Sequence, residues 1–162
     1  MPRDTYHYPK QTVVALQAGQ SGGQDMSKCE LCDSPGGELL WQDAFCRVVR
    51  IEDVDYPGFC RVILNRHVRE MTDLTVRDRE RLMSVVFAVE QAIRDTLRPE
   101  KINLASLGNM TPHLHWHVIP RYRQDRTFPN PIWGGSRRET VAAVLDAATA
   151  SKLKAAIQRS LG

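Results

Sequence analysis

No apolar run in this chain approaches the roughly 20 residues that a helix needs to cross a bilayer, which predicts no membrane partner. The first residues include Arg3, Asp4, His7 and Lys10, and they lack the roughly 7–15-residue apolar core of a secretory signal. The expected location is therefore the cytoplasm. Charge of neither sign dominates: the formal net charge is +3 at pH 7. So small and scattered an excess suits an anionic small molecule in a focused cleft and argues against a nucleic-acid face. Cysteines number only four, at positions 29, 32, 46 and 60, and in a reducing compartment they read as thiols or metal ligands rather than a disulfide scaffold. No internal repeat is present. With 162 residues the chain is long enough for one domain with a real core and too short for two comfortable ones.

Residues 1–27 carry one short apolar patch, Val13 to Leu16, followed by a glycine- and glutamine-rich stretch. Such a segment buries too little surface to offset the entropy of ordering, so a flexible tail is expected, the patch being compatible with an edge strand. The domain proper begins near Cys29. After a turn at Ser34-Pro35-Gly36-Gly37, Leu39 to Trp41, Cys46 to Ile51 and Phe59 to Leu64 are β-prone runs. Cys46 and Cys60 fall inside two of them and read as small core fillers. The spacing of Leu82, Val85, Val86, Val89, Ile93 and Leu97 predicts a helix from Val76 to Leu97, capped by Thr75 and ended by Arg98-Pro99. Ile102 to Leu107 reads as a further strand. Residues 128–135 have no period and should form a loop. Glu139 to Leu161 is alanine-rich and helix-prone, with a break expected near Thr149-Ala150-Ser151. The order of elements predicts an α+β fold with an antiparallel sheet packed against the long helix. The expected organisation is a tail over 1–27, a domain over 28–135 and a C-terminal helical extension over 136–162.

Three of the five histidines crowd into His113-Leu114-His115-Trp116-His117. Alternation with Leu114, Trp116 and Val118 predicts one strand with an apolar face and an imidazole face. On a regular strand His113 and His117 stand about 13 Å apart, too far for all three to bind one ion through bonds near 2 Å. The middle imidazole, flanked by two others, suits attack on an anion while its neighbours donate hydrogen bonds. Such a nucleophile needs one bare ring nitrogen and a second donating to a fixed acceptor, expected to be a backbone carbonyl. This chemistry requires no divalent ion. Elsewhere, Cys29-Glu30-Leu31-Cys32 has the two-residue gap that lets both thiolates reach one metal; the same pair also reads as two ordinary thiols.

The run from His113 to Ile119 resembles the signature of the histidine-triad family, and Pro120-Arg121 fits its continuation. The similarity extends back to about Cys29 through Gly58-Phe59-Cys60-Arg61-Val62-Ile63-Leu64-Asn65-Arg66-His67, and the variant is similar to bacterial diadenosine-polyphosphate hydrolases. The resemblance implies the histidine-triad fold, a two-fold dimer whose sheets join, and a small-molecule nucleotide bound over the histidines. It implies cleavage of a nucleoside monophosphate from a dinucleoside polyphosphate or nucleoside phosphoramidate through a covalent nucleotidyl-histidine on His115. His117 and His113 would share the catalytic site, with Asn103, Asn109, Thr111 and Asp53 as nucleotide contacts. It also implies a structural zinc held by Cys29, Cys32, His67 and His113. Two features depart from the family pattern. The Gly-Gln-Ser or Gly-Gln-Thr loop is replaced by Gly108-Asn109-Met110-Thr111-Pro112, and the ribose aspartate has no counterpart at its usual place, Glu52 and Asp53 lying just beyond. The alternatives are a nucleotide-binding regulatory module with negligible turnover, or a nucleotidyltransferase.

Overall fold

The structure, a computed structural model, describes residues 29–139 and 144–162, so the expected tail lies outside the described residues. A short helix α1 (Glu30–Asp33) precedes β1 (Glu38–Gln42), β2 (Cys46–Arg50) and β3 (Cys60–Leu64). The long helix α2 (Val76–Leu97) follows, then β4 (Lys101–Ser106), β5 (His115–Arg121) and α3 (Ala147–Leu161). The strands form one sheet of order β1-β2-β3-β5-β4, antiparallel throughout. This is the α+β architecture, an antiparallel sheet packed against a long helix, that the pattern predicts.

The bounds of α2 follow from local chemistry. The Thr75 hydroxyl accepts from the Asp78 amide at 3.1 Å, which satisfies one of the unpaired donors at the helix start. At the other end Arg98 takes φ 50° ahead of Pro99, which disfavours a continued right-handed helix. Between them Leu82, Val85, Val86, Val89, Ala92 and Ile93 are buried against Cys46, Val48, Cys60, Val62, Leu64 and Val118 of the sheet. Both strand cysteines are fully buried, and burial pushes each thiol up to about 12, as inert core fillers require.

Two expectations change. The C-terminal helix begins at Ala147 rather than near Glu139 and runs unbroken through Thr149-Ala150-Ser151. Those polar residues serve its first turn. Asp146 accepts from the Thr149 amide at 2.9 Å and the Thr149 hydroxyl at 2.6 Å, while Ser151 donates back to the Ala147 carbonyl. Leu153, Ala156 and Ile157 of α3 then join the same core as α2. The second change concerns His113, which lies before β5 rather than in it. Its amide turns back to the Thr111 carbonyl at 2.8 Å, and this bend ends the strand alternation at His115.

Gly58 is one of the few positions where only glycine fits. Its φ is +87°, and a Cβ there would meet Leu97 Cδ1 at 2.3 Å. This turn sets Phe59, Arg61 and Ile63 on the sheet face opposite the helices, where the functional groups gather.

Candidate active site and adjoining metal cluster

Among the described residues, the open face of the sheet is covered at both ends and left open in the middle. At one end Leu31 of α1 packs on Val49 and Ile63. Arg47 fastens that segment by donating to the carbonyls of Leu31, Ser34 and Pro35. At the other end Tyr56, Phe59 and Ile119 pack against Ile132 of the loop after β5. Arg121 holds that loop, and its side chain is only 2% exposed. It donates to Asp125 at 2.8 Å, Asn103 at 2.6 Å, Thr127 at 3.1 Å and the Asn130 carbonyl at 2.9 Å. Between these covers lies a cleft of about 530 Å³, with His115, His117 and Arg61 on its floor. Leu107, Met110 and Trp133 line its walls, together with Asn109 and Thr111.

His115 and His117 share the face as β5 alternation requires, with ring centroids 4.9 Å apart. His115 Nδ1 lies 2.6 Å from the His113 carbonyl. A carbonyl only accepts, so Nδ1 carries the proton and Nε2 is left with the lone pair. Burial lowers the His115 pKa, against the pull of that hydrogen bond, and favours the neutral ring. Burial also depresses His117 to about 4, with the nearby His115 and Arg61 adding to the effect. Neither ring nitrogen of His117 has a partner among the described residues, although both are withdrawn from solvent. Such groups are costly to leave unpaired, and a polar ligand in the cleft would satisfy them.

His113 takes a different direction. Its Nε2 donates to the Leu64 carbonyl at 2.6 Å, which turns Nδ1 toward the cysteines. Nδ1 stands 3.4 Å from Cys29 Sγ and 3.5 Å from Cys32 Sγ, and His67 Nδ1 is 3.4 Å from Cys32 Sγ. The four ligand atoms all fall within 4.8 Å of one another. Two ligands about 2.3 and 2.0 Å from a tetrahedral ion stand ~3.5 Å apart, so the set fits a metal of zinc-like geometry. A fixed hydrogen bond on the far nitrogen of a ligating histidine is the usual outer support of such a site. Desolvation and the neighbouring Cys29 hold the Cys32 thiol above its usual range, an effect that a bound cation would reverse.

Of the residues read from the sequence as nucleotide contacts, Asn109 and Thr111 line the cleft beside the histidines. Asn103 lies on the same sheet face, in a neighbouring hollow, with its amide oxygen engaged by Arg121. Asp53 accepts from the amides of Asp55 and Tyr56 and organises the turn before Gly58. Sequence reasoning missed Arg61, Trp133 and the Arg121 hub. A cation in the middle of the otherwise apolar run Phe59 to Leu64 was the available signal for the first.

The family model for the HIT domain matches residues 37–124, more than half of the chain, and includes both β3 and the histidine segment. The chain belongs to the HIT-domain family. A histidine triad protein from Bradyrhizobium japonicum is similar in structure at 27% identity, with a TM-score of 0.62 over 77% of this chain and 92% of that one. Another from Marinobacter aquaeolei matches at 27% identity and 0.61 over 78% and 90%. Proteins named AP-4-A phosphorylase from two strains of Mycobacterium tuberculosis are 33% identical over 87 residues. That match takes in 50% of this chain and 44% of theirs, so the chain spans less than half the length of these curated relatives. This HIT-domain protein thus has the histidine-triad fold and its histidine cluster, and a Cys2His2 cluster able to hold a metal. No described helix is long and apolar enough to cross a membrane.

Proposed function

We propose that this HIT-domain protein is a hydrolase that releases a nucleoside monophosphate from a dinucleoside polyphosphate or a nucleoside phosphoramidate through a nucleotidyl adduct on His115. One observation carries the reading: the His113 carbonyl fixes the His115 proton on Nδ1, so that Nε2 faces the chemistry as a free base. Attack by Nε2 on the α-phosphorus forms a P–N bond and breaks the bond to the leaving group, which departs with the electron pair. Water then attacks the same phosphorus, the P–N electrons return to His115, and one proton passes to solvent. His117 is the donor for the phosphoryl oxygens in this scheme. Asn109 and Thr111 are the proposed nucleotide contacts, since Asn103 and Asp53 have other partners.

The proposed ion is a structural zinc on Cys29, Cys32, His67 and His113, supported by the donor set and its spacing. It would fasten α1 to the segment before β5 and take no part in the bond changes. His113 would then reach the chemistry only through its carbonyl. We also propose a homodimer, with β4, which closes one edge of the sheet, as the joining strand.

A second reading has a specific support. The M. tuberculosis relatives are named as phosphorylases, in which phosphate would take the place of water as acceptor. Incubation with diadenosine tetraphosphate, with and without inorganic phosphate, separates the readings. AMP and ATP alone support hydrolysis, and phosphate-dependent ADP supports transfer. Absence of turnover on anhydrides and phosphoramidates alike would contradict both and favour a binding module.

A further inference from the structure

The open face of the sheet carries three arginines, and they differ in one respect. Arg47 and Arg121 have acceptors for both Nε and the terminal nitrogens. Arg61 lies between them on β3, opposite His117 in the register with β5. Among the described residues it makes no hydrogen bond and no ion pair, and its Nε is withdrawn from solvent without an acceptor. Its guanidinium lies over the Phe59 ring, 5.7 Å from the centroid. Glu30, at the exposed rim of the cleft, forms no ion pair with it. A half-buried guanidinium left unpaired is costly, and it presents a planar fork suited to phosphate oxygens. Among the described lining residues Leu107, Met110 and Trp133 are apolar, Asn109 and Thr111 are neutral, and Arg61 is the single lysine or arginine.

We propose that Arg61 receives the anionic leaving group of the substrate, the phosphate beyond the one that His115 attacks, and thereby selects phosphoric anhydrides over phosphoramidates. This inference rests on the nucleotidyl-histidine reading and deepens it. When an anhydride reacts, the P–O bond breaks and its electron pair goes to the bridging oxygen, which leaves as a phosphate anion. Arg61 pairs with the charge that grows there. When a phosphoramidate reacts, the departing nitrogen must take up a proton and leaves as a neutral amine. A cation at that place offers it no stabilisation.

The test compares diadenosine tetraphosphate with adenosine 5′-phosphoramidate in the full chain and in Arg61→Gln and Arg61→Lys. Loss of one donor aimed at developing charge costs on the order of 100-fold in rate, so Arg61→Gln should lower kcat/KM for the anhydride by about that factor. It should leave the phosphoramidate within about threefold, and Arg61→Lys should recover part of the anhydride rate. Equal losses on both substrates, or none on either, would overturn the assignment. A second readout is independent of turnover. ADP should bind more tightly than AMP, and Arg61→Gln should abolish the difference while leaving AMP affinity unchanged. If His115 proves not to be the nucleophile, this arm still decides the case: ADP bound no more tightly than AMP by the unaltered protein would overturn the role of Arg61.

Discussion

On one face of the sheet, β2, β3 and β5 present Cys46, Val48, Cys60, Val62, Leu64 and Val118 to α2 and α3. On the other face the same three strands present Arg47, Arg61, His115, His117 and Arg121. The first face is apolar and closed, with its cysteines too buried to ionise. The second carries polar groups between apolar clusters, sorted by partner: Arg47 and Arg121 are saturated at the two ends, while among the described residues Arg61 Nε and the His117 ring nitrogens have no hydrogen-bond partner in the middle. Polar groups are stable in such a place when they are bonded, and the ones left unbonded mark where a ligand belongs. Chemistry therefore sits where satisfaction stops.

The largest expected effect breaks the open face at its centre. His115→Ala should lower nucleotide turnover by four orders of magnitude or more, in line with removal of a nucleophile that works as part of a unit. Nucleotide affinity should stay within about tenfold, or roughly 1.4 kcal/mol. Steady-state kinetics and calorimetric titration measure the two quantities. Turnover within tenfold of the unaltered protein would move the nucleophile elsewhere.

Removing a saturated residue should act on stability instead. Arg121→Ala leaves Asp125 buried and uncompensated, so denaturant unfolding should show a loss of about 3–5 kcal/mol. Limited proteolysis should then cut first within residues 122–133, the loop that Arg121 holds. A loss below 1 kcal/mol would show that the hub does not anchor the loop. For contrast, Leu82→Ala on the closed face should cost about 2–5 kcal/mol through the cavity it leaves, with no change in KM.

The metal cluster tests how the two ends of the histidine segment are joined. Protein purified without added zinc should hold about one equivalent per chain, and Cys29→Ser should lower both the metal content and Tm. Metal-free protein with unchanged Tm would remove zinc from the account. Because the His113 carbonyl accepts from His115, chelation should also disturb the His115 tautomer, which nitrogen-15 imidazole shifts report.

The smallest expected effect concerns pH. His117 has a folded pKa of about 4, below its ordinary 6.5, so the folded state binds fewer protons than the unfolded chain in that interval. Its contribution to stability is thus present above about pH 6.5 and lost as pH falls toward 4. His117→Gln should flatten the fall in unfolding free energy across that window. An identical slope in both proteins would contradict the depressed pKa.

Much of the closed face was legible in the sequence, because period 3.6 and period 2 are read directly from apolar spacing. The helix Val76–Leu97 matches its predicted bounds. The open face was legible only in part. Alternation placed His115 and His117 together, but carrying it back to His113 assumed an extended backbone, which the turn onto Thr111 interrupts. Spacing does not reveal that Arg121 is saturated and Arg61 is not, since both are arginines at outward strand positions. Their difference comes from the loop over 122–133, which has no period. The polar cluster at Thr149 and Ser151 read as a break because a helix start and a helix interruption use the same residues.

Trapping the adduct tests most directly whether His115 Nε2 carries the nucleotide. The unaltered protein should be mixed with diadenosine tetraphosphate carrying a labelled α-phosphate, quenched in base within milliseconds, digested and mapped by mass spectrometry. One adenylylated peptide is expected, modified at His115, labile to acid and formed and lost fast enough to support turnover. Label on another residue, or turnover with no labelled peptide at any time point, would contradict it.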